Sequence, residues 1–265
     1  MKALILGFLF LSSISLYSQE YNQNADLRKE TQIFDEGLNR LIPAGLLALQ
    51  KWKLQLPENT DHPGNPDEVK SHELSGYEHP DYFFLTQERD AVVFRAHCGG
   101  STTKNSHYPR SELREMADGG AKKAAWSTES EELHALYAEI AITHTPLKKP
   151  HVVCAQIHNN KDDVLAIRLE GKHLFIKRDN LPKITLDAGY KLGTFFELDI
   201  ISGKGHIIVA YNGNKILNWK ISEPTCYYKI GCYTQSNTQT GDDPSSFGET
   251  QIRSLNVGPT TRLSY

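Results

Sequence analysis

Three short segments of the sequence place polar, charged and phenolic side chains at every second position. They are RSELR at 110–114, QIH at 156–158 and YYKIGCYTQ at 227–235. Successive side chains of an extended strand point to opposite faces, so each segment has one polar face and one face that fits a core. The polar-face side chains are Arg110, Glu112, Arg114, Gln156, His158, Tyr227, Lys229, Tyr233 and Gln235.

These residue types allow recognition of an anionic sugar and proton transfer on it. Guanidinium and amide groups can bind a carboxylate and stabilise the charge that develops when the neighbouring carbon loses its proton. Imidazole and phenol groups can act as general base and general acid. Each segment alone also fits an ordinary half-exposed strand, for example a salt-bridge ladder along 110–114. Together the three predict a long groove suited to an acidic sugar chain.

Glycoside hydrolysis is the rival reaction, and it usually needs two carboxylates that flank the bond. The polar faces offer only Glu112, which lies between Arg110 and Arg114 and is therefore expected to stay ionised. The side chains on these polar faces therefore favour elimination over hydrolysis. The eleven histidines are scattered without metal-ligand spacing, so no metal and no other cofactor is expected.

The elements that must position these residues are β-strands. From residue 82 onward the hydrophobic pattern has a period of two, and glycine-containing turns at 203–205 and 212–214 separate β-rich runs. This pattern predicts an all-β fold, either a sandwich of two antiparallel sheets or a jelly roll. The predicted strands are Tyr82–Thr86, Ala91–Cys98, Arg110–Met116, His134–His144, Val152–Asn159, Val164–Leu169, His173–Arg178, Phe195–Ser202, His206–Tyr211, Lys215–Ile221, Cys226–Gln235 and Thr250–Val257.

The N-terminal region has a different pattern. Lys2, the apolar run of residues 3–11 and the small and polar residues after it predict a signal peptide over residues 1–18. Residues 19–49 are predicted to form a partly helical extension, its short helix broken near Pro43, and residues 50–265 a single domain. The apolar run is too short to span a bilayer, so we expect export to the periplasm or the medium without a membrane anchor.

The chain of 265 residues carries a formal net charge of −3, which gives no bulk attraction for a polyanion. Nucleic acid is therefore not an expected partner, and we expect a monomer. Cys226 and Cys232 would lie about 20 Å apart along one strand, too far for a disulfide. Buried free thiols are expected for all four cysteines.

The three segments resemble, in order, the motifs of the alginate lyases of polysaccharide lyase family 7. Those motifs read R-S/T-E-L-R, Q-I/V-H and Y-F-K-A-G-x-Y-N-Q, and the resemblance extends to WKLQLP at 52–57, covering roughly residues 50–258. It implies a β-jelly roll whose concave sheet binds alginate, and a metal-independent β-elimination without a cofactor. The family's usual Phe, Ala and Asn are replaced, on the face away from the groove, by Tyr228, Ile230 and Thr234.

The resemblance also implies a role for each polar residue. The implied catalytic residues are Arg110, Gln156, His158 and Tyr233. The implied substrate-binding residues are Arg114, Glu112, Tyr227, Lys229 and Gln235, with Glu112 expected to orient its arginine neighbours. Tyr233 is expected to donate a proton to the leaving oxygen. The base stays open between Tyr233 as a phenolate and neutral His158.

Two other functions stay open at the level of sequence. A non-catalytic carbohydrate-binding jelly roll would share the groove, the aromatic rings and the signal peptide. A lyase for another polyuronate, such as a glucuronan, would share the catalytic set. Within the family, Ile at the position of Ile157 is loosely associated with activity on guluronate-containing blocks. Endo or exo action depends on loops and is not predicted.

The charges of the predicted groove differ from those of the whole chain. Strand alternation gathers Arg110, Arg114, His158 and Lys229 on one face and is expected to leave the acids elsewhere. The sequence therefore predicts a positive groove on a mildly acidic protein.

Overall fold

The computed structural model describes residues 34–35, 40–60 and 65–261. Eighteen strands and one short α-helix, α1 (Pro43–Leu46), make up nearly all of the regular structure in these ranges. The strands are β1 (Phe34–Asp35), β2 (Arg40–Leu41), β3 (Trp52–Gln55), β4 (Glu68–Val69), β5 (Phe83–Leu85), β6 (Val92–His97), β7 (Arg110–Ala117), β8 (Lys122–Lys123), β9 (Leu133–His144), β10 (His151–His158), β11 (Asp163–Glu170), β12 (His173–Arg178), β13 (Ile184–Asp187), β14 (Phe196–Gly203), β15 (His206–Tyr211), β16 (Asn214–Lys220), β17 (Tyr227–Thr234) and β18 (Phe247–Thr260). Single 3₁₀ turns lie at Leu74–Gly76, Asp118–Gly120 and Thr238–Thr240.

Two antiparallel sheets form the body of the protein. The sheet that contains the three motif strands β7, β10 and β17 is called the groove sheet. It has nine strands in the order β13-β12-β11-β10-β17-β7-β3-β4, with β8 paired to β7. The outer sheet has seven strands in the order β16-β15-β14-β9-β18-β6-β5, and β1 and β2 pair with each other. Neighbours in both sheets are often distant in the chain, as for β7 and β17, which is typical of a jelly roll. The predicted all-β jelly-roll architecture is confirmed.

The core lies between the two sheets and takes about every second residue from most of their strands. In the three motif strands, the positions opposite the polar faces are fully buried, as alternation predicts. Tyr228, Ile230 and Thr234, where the chain departs from the family pattern, all face the core and not the groove. Fully buried core residues include Leu113, Ile157 and Ile230 of the groove sheet and Phe94, Ile200 and Ile252 of the outer sheet.

Every strand predicted from the period-two pattern is present, with ends shifted by a few residues at most, except that β18 is much longer than its predicted segment. The pattern missed β1, β2, β3, β4, β8 and β13, which have two to four residues each, and the first two lie in the segment predicted to be partly helical. Such strands are too short to establish a period, and only pairing with a neighbouring strand makes them extended.

The N-terminal region agrees only in part with its prediction. A short helix is present, but it begins at Pro43, where the sequence pattern ended it. Proline suits the first helical turn because its missing N–H would have no partner there. The predicted signal peptide and most of the predicted extension lie outside the described residues. Within the described ranges, no helix is long and apolar enough to cross a membrane.

The cysteines are buried and free, as expected. Cys98, Cys154, Cys226 and Cys232 form no disulfide with one another. Burial raises the pKa of Cys226 to about 12, and Cys154 shows a shift of the same size for the same reason. They behave as small apolar side chains of the core.

A buried carboxylate ties β7 to its neighbours on the core side. Glu115 is 3% exposed and accepts hydrogen bonds from Trp126 Nε1 at 2.8 Å and from the backbone N–H of Tyr228 at 2.9 Å. His134 Nε2 lies 2.5 Å from its second oxygen. Because Tyr228 lies between two groove residues of β17, this carboxylate also fixes the backbone that carries them.

We expect Glu115→Ala to lower the free energy of unfolding by roughly 3 kcal/mol, because it leaves buried donors without an acceptor. Urea denaturation followed by tryptophan fluorescence measures the change. The matched control is Glu197→Ala at an exposed position of β14, expected to change stability by less than about 0.5 kcal/mol. Equal stability of the two variants would contradict this role of Glu115.

Candidate active site

The three sequence motifs lie on neighbouring strands at the centre of the groove sheet. β17 lies between β10 and β7, and the register pairs Lys229 with both Arg114 and Gln156. Tyr233 pairs with Arg110 by the same register. Residues directly opposite each other on antiparallel strands point to the same face, so the predicted polar faces merge into one surface.

A buried carboxylate organises the centre of this surface. Glu112 is 1% exposed, and its Oε2 lies 2.5 Å from Lys229 Nζ and 3.0 Å from Arg110 Nη1. Gln156 Nε2 donates to its other oxygen. Burial opposes the charge of Glu112, but Lys229 and Arg110 outweigh it and hold the pKa of this carboxyl below its usual value. Glu112 is therefore an ionised acceptor whose two oxygens are both hydrogen-bonded, and it orients three donors.

The orienting role predicted for Glu112 applies to Arg110 but not to Arg114. The Arg114 guanidinium lies over the Tyr227 ring, with Cζ 3.8 Å from the ring centroid, and donates to the backbone oxygen of Glu115 at 2.9 Å. Cation–π packing of this kind fixes a planar guanidinium while leaving its edge available.

Arg110 and Tyr233 form a second pair. The Arg110 Cζ lies 3.7 Å from the Tyr233 ring centroid, and Arg110 is 6% exposed. Ser106, in the loop that precedes β7, contacts both: its Oγ lies 2.8 Å from Arg110 Nη2 and 3.0 Å from Tyr233 Oη. Sequence reasoning missed Ser106, because a loop residue carries no periodic signal.

His158 lies at the other end of the polar surface, against Tyr227. Their rings stack at 5.4 Å, and Tyr227 Oη lies 3.1 Å from His158 Nδ1. His158 Nδ1 also lies 2.6 Å from the backbone oxygen of Asn159. A carbonyl oxygen only accepts, so Nδ1 carries the hydrogen and Nε2 holds the lone pair. Burial and the charge of Lys229 lower the pKa of His158, which favours neutral imidazole.

Gly231 lets β7 and β17 approach closely in the middle of the site. Its φ is +140°, and a Cβ there would lie 2.6 Å from the backbone oxygen of Ser111 and 2.9 Å from the Cα of Glu112. Only glycine fits this position without displacing backbone.

Gln235 belongs to a separate part of the groove sheet. Its Oε1 accepts from Arg168 Nη1 at 3.2 Å, and Arg168 in turn forms an ion pair with Glu170 at 2.9 Å. The structure thus places Gln235 against β11 and not against the carboxylate of Glu112. Sequence reasoning did not single out Arg168, although it lies on a predicted strand.

The expectation that acids lie away from the groove face is wrong. Glu68, Asp163 and Glu170 all belong to the groove sheet and pair with cations of the same sheet. Lys53 Nζ lies 2.5 Å from Glu68, and Lys177 Nζ lies 2.8 Å from Asp163. Each acid holds a long cationic side chain in place, which alternation alone cannot predict. Around Glu112 the cations still outnumber the acid.

Lys229 is the most strongly perturbed cation of the site. It is 8% exposed, and burial followed by the charge of Arg110 lowers its pKa to about 8, despite the opposing effect of Glu112. Its charge is therefore sensitive to pH near neutrality. In the described part of the chain, no group of three or more His, Cys, Asp or Glu side chains is arranged to hold a metal ion.

Comparison with known proteins assigns the chain to a family. Residues 47–259 match the family model described as alginate lyase, which covers most of the chain and all three motif strands. The chain belongs to the alginate lyase family. The matched region contains every residue of the polar surface and nearly the whole of both sheets.

Solved structures of this alginate lyase family share the fold. Alginate lyase AlgAT5 from polysaccharide lyase family 7 is 46% identical, with a TM-score of 0.79 over 83% of this chain and 100% of its own. An alginate lyase from Corynebacterium sp. is 38% identical, with a TM-score of 0.77 over 82% of this chain and 98% of its own.

A curated alginate lyase from Klebsiella pneumoniae is 29% identical over 150 residues. The match covers 47% of this chain and 48% of that protein, so the chain spans about half the length of this relative.

Proposed function

We propose that this protein is an alginate lyase that cleaves the 1,4 glycosidic bond between uronate residues by β-elimination and leaves an unsaturated uronate end. The observation that carries the proposal is the joining of Arg110, Gln156 and Tyr233 into one polar surface around Glu112. The names of its relatives, all alginate lyases, supply the substrate class.

The first requirement of elimination is loss of the proton at C5, which the neighbouring carboxylate opposes by its negative charge. Arg110 and Gln156 each keep N–H groups beyond those that Glu112 and Ser106 occupy. These donors can bind the substrate carboxylate and stabilise the charge that develops on it. Because Glu112 has already oriented them, little reorganisation is needed on binding.

The second requirement is a base at C5 and an acid at the glycosidic oxygen on C4. Tyr233 is the acid. Two groups can accept the C5 proton: the Nε2 lone pair of neutral His158, or the phenolate of Tyr233. Elimination breaks the C5–H and C4–O bonds and forms a C4–C5 double bond, and the acid's proton goes to the leaving oxygen.

The site favours a lyase over a hydrolase. Glu112 is the one carboxylate among the nine predicted site residues, and its oxygens are occupied by Arg110, Lys229 and Gln156. A hydrolase would need a second carboxylate and a free acid form of the first. A binding module is also less suited, since it needs neither acid nor base.

We also infer the setting in which the enzyme works. The pattern of residues 1–18 supports export, with removal of the signal peptide near Gln19 and no membrane anchor in the mature protein. We infer that it acts as a monomer. Its partner is the anionic polysaccharide and not nucleic acid, and it needs no cofactor.

Lys229 gives the proposed enzyme a specific pH dependence. As the pH rises through about 8, this buried ammonium loses its proton and the groove loses a positive charge. We therefore expect KM for alginate to rise several-fold above that pH. Lys229→Arg stays charged throughout and should flatten the rise. Initial rates at a series of pH values test this, and parallel KM curves for the two proteins would contradict it.

Ultraviolet absorbance of the products tests the substrate class. Folded protein is incubated with polymannuronate, polyguluronate, mixed alginate and glucuronan, and the conjugated double bond is followed over time. We expect absorbance to rise with at least one alginate substrate. A rise with glucuronan alone would mean that glucuronan, and not alginate, is the substrate. No rise with any of the four would overturn the lyase proposal.

A further inference from the structure

Ser106 lies outside the three motifs but contacts two of their central residues. Its hydroxyl oxygen lies 3.0 Å from Tyr233 Oη and 2.8 Å from Arg110 Nη2. The loop that carries it is tied down at its end, because Asn237 Nδ2 donates to the His107 backbone oxygen at 2.8 Å. The position of Ser106 beside Tyr233 is therefore fixed by the backbone of its loop as well as by its own side-chain hydrogen bonds.

The hydrogen-bond count around Ser106 sets the direction of its bond to Tyr233. Its oxygen already accepts from Arg110 Nη2 and from the Tyr108 N–H, the latter at 3.3 Å. A serine hydroxyl has two lone pairs and one proton, so no acceptor position is left for the phenol. The phenol therefore cannot donate to Ser106, and a bond between them can form only with the serine as donor. The one competing acceptor for its proton is the Tyr108 backbone oxygen at 3.2 Å.

This direction has a consequence for the phenolic proton. Since Tyr233 accepts from Ser106, its own O–H is not used in that bond. Within the described residues Ser106 is the one hydrogen-bond partner of the phenol oxygen. The proton is thus free for an acceptor in the groove. After transfer, the oxygen keeps the Ser106 hydrogen bond, and the Arg110 guanidinium faces its ring.

We propose that Ser106 is a positioning residue of the reaction, which fixes the Tyr233 oxygen and the Arg110 guanidinium so that the phenolic proton is directed at the glycosidic oxygen. This inference rests on the proposed lyase function and on Tyr233 as its acid. Ser106 acts through these two residues and does not itself exchange a proton with the substrate.

The test compares Ser106→Ala with Ser106→Thr, which keeps the hydroxyl. We expect Ser106→Ala to lower kcat on alginate roughly 10- to 100-fold, the range for a hydrogen bond to a charged group, with KM within about threefold of wild type. Its profile of kcat against pH should shift along the pH axis. Ser106→Thr should recover most of kcat and the wild-type profile.

A control variant in the same loop separates positioning from loop structure. Ser101 makes no side-chain hydrogen bond among the described residues, so Ser101→Ala should keep wild-type kcat, and thermal unfolding checks that all variants are folded. Wild-type kcat and pH profile in Ser106→Ala would overturn the proposal, as would a change in KM alone. Wild-type protein without lyase activity would instead overturn the proposed function, and the role of Ser106 with it.

Discussion

Tyr233→Phe is expected to lower kcat on alginate about 100- to 10,000-fold, the usual contribution of a general acid. The change removes one oxygen and leaves the ring, so the Arg110 guanidinium keeps its packing surface at 3.7 Å. Substrate affinity should therefore stay near that of the wild type. Initial rates give kcat, and calorimetric titration with a short alginate oligosaccharide gives the affinity of the inactive variant.

The matched control for this variant is Tyr137→Phe on β9 of the outer sheet. The Tyr137 hydroxyl contacts Thr260 Oγ1 at 3.2 Å, far from the groove face in the fold. It should retain wild-type kcat. If Tyr233→Phe kept more than about a tenth of wild-type kcat, Tyr233 would not be the acid, and Ser106 would lose its role as well.

Glu112→Ala is expected to cost about 3–5 kcal/mol of unfolding free energy and to abolish activity. The substitution leaves Arg110 and Lys229 buried without their shared carboxylate, and an uncompensated buried charge is far more costly than a lost surface contact. It also removes the acceptor that holds Gln156 in the position where we propose it binds substrate. Urea denaturation and the absorbance assay measure the two effects.

One further variant separates the charge of Glu112 from its shape, and a second serves as a surface control. Glu112→Gln keeps the volume and one acceptor oxygen, so any loss that it shares with Glu112→Ala comes from the charge and the second acceptor oxygen. Glu68→Ala removes a surface partner of Lys53 and should cost less than about 1 kcal/mol. A loss below about 1 kcal/mol for Glu112→Ala would show that the carboxylate does not hold the site together.

The pKa shift of Glu112 adds a pH dependence of the same origin. Although burial opposes its ionisation, Lys229 and Arg110 keep the pKa of Glu112 lower in the folded chain than in the unfolded chain. The stability that it contributes is therefore present above its unfolded pKa and is lost as the pH falls through the folded one.

Sequence alone predicted which side of each motif strand faces the groove, because side-chain alternation is a local property. Leu113, Ile157 and Tyr228 are fully buried on the opposite face, as the period of two requires. The same argument could not predict the register, since β7 and β17 are separated by more than a hundred residues. The motif resemblance implied only that the three strands line one groove, and the pairing of Lys229 with Arg114 and Gln156 comes from the structure.

Contacts that depend on loops or on long side chains were beyond the sequence. Ser106 belongs to a loop, and its place beside Tyr233 follows from the path of the chain between β6 and β7. The direction of the Glu112 side chain, towards Arg110 and Lys229 and not Arg114, depends on rotamers and burial. Ion pairs such as Lys177 with Asp163 form across neighbouring strands and carry no sequence period.

The measurement that tests the central claim most directly is the ratio of new double bonds to new reducing ends in an alginate digest. Elimination makes one unsaturated uronate for each bond cleaved, so the ratio should be one throughout the wild-type reaction. Both products should fall together in Tyr233→Phe. Reducing ends without double bonds would mean hydrolysis, and bound alginate with neither product would mean a binding protein; either result would contradict the assignment of β-elimination to this site.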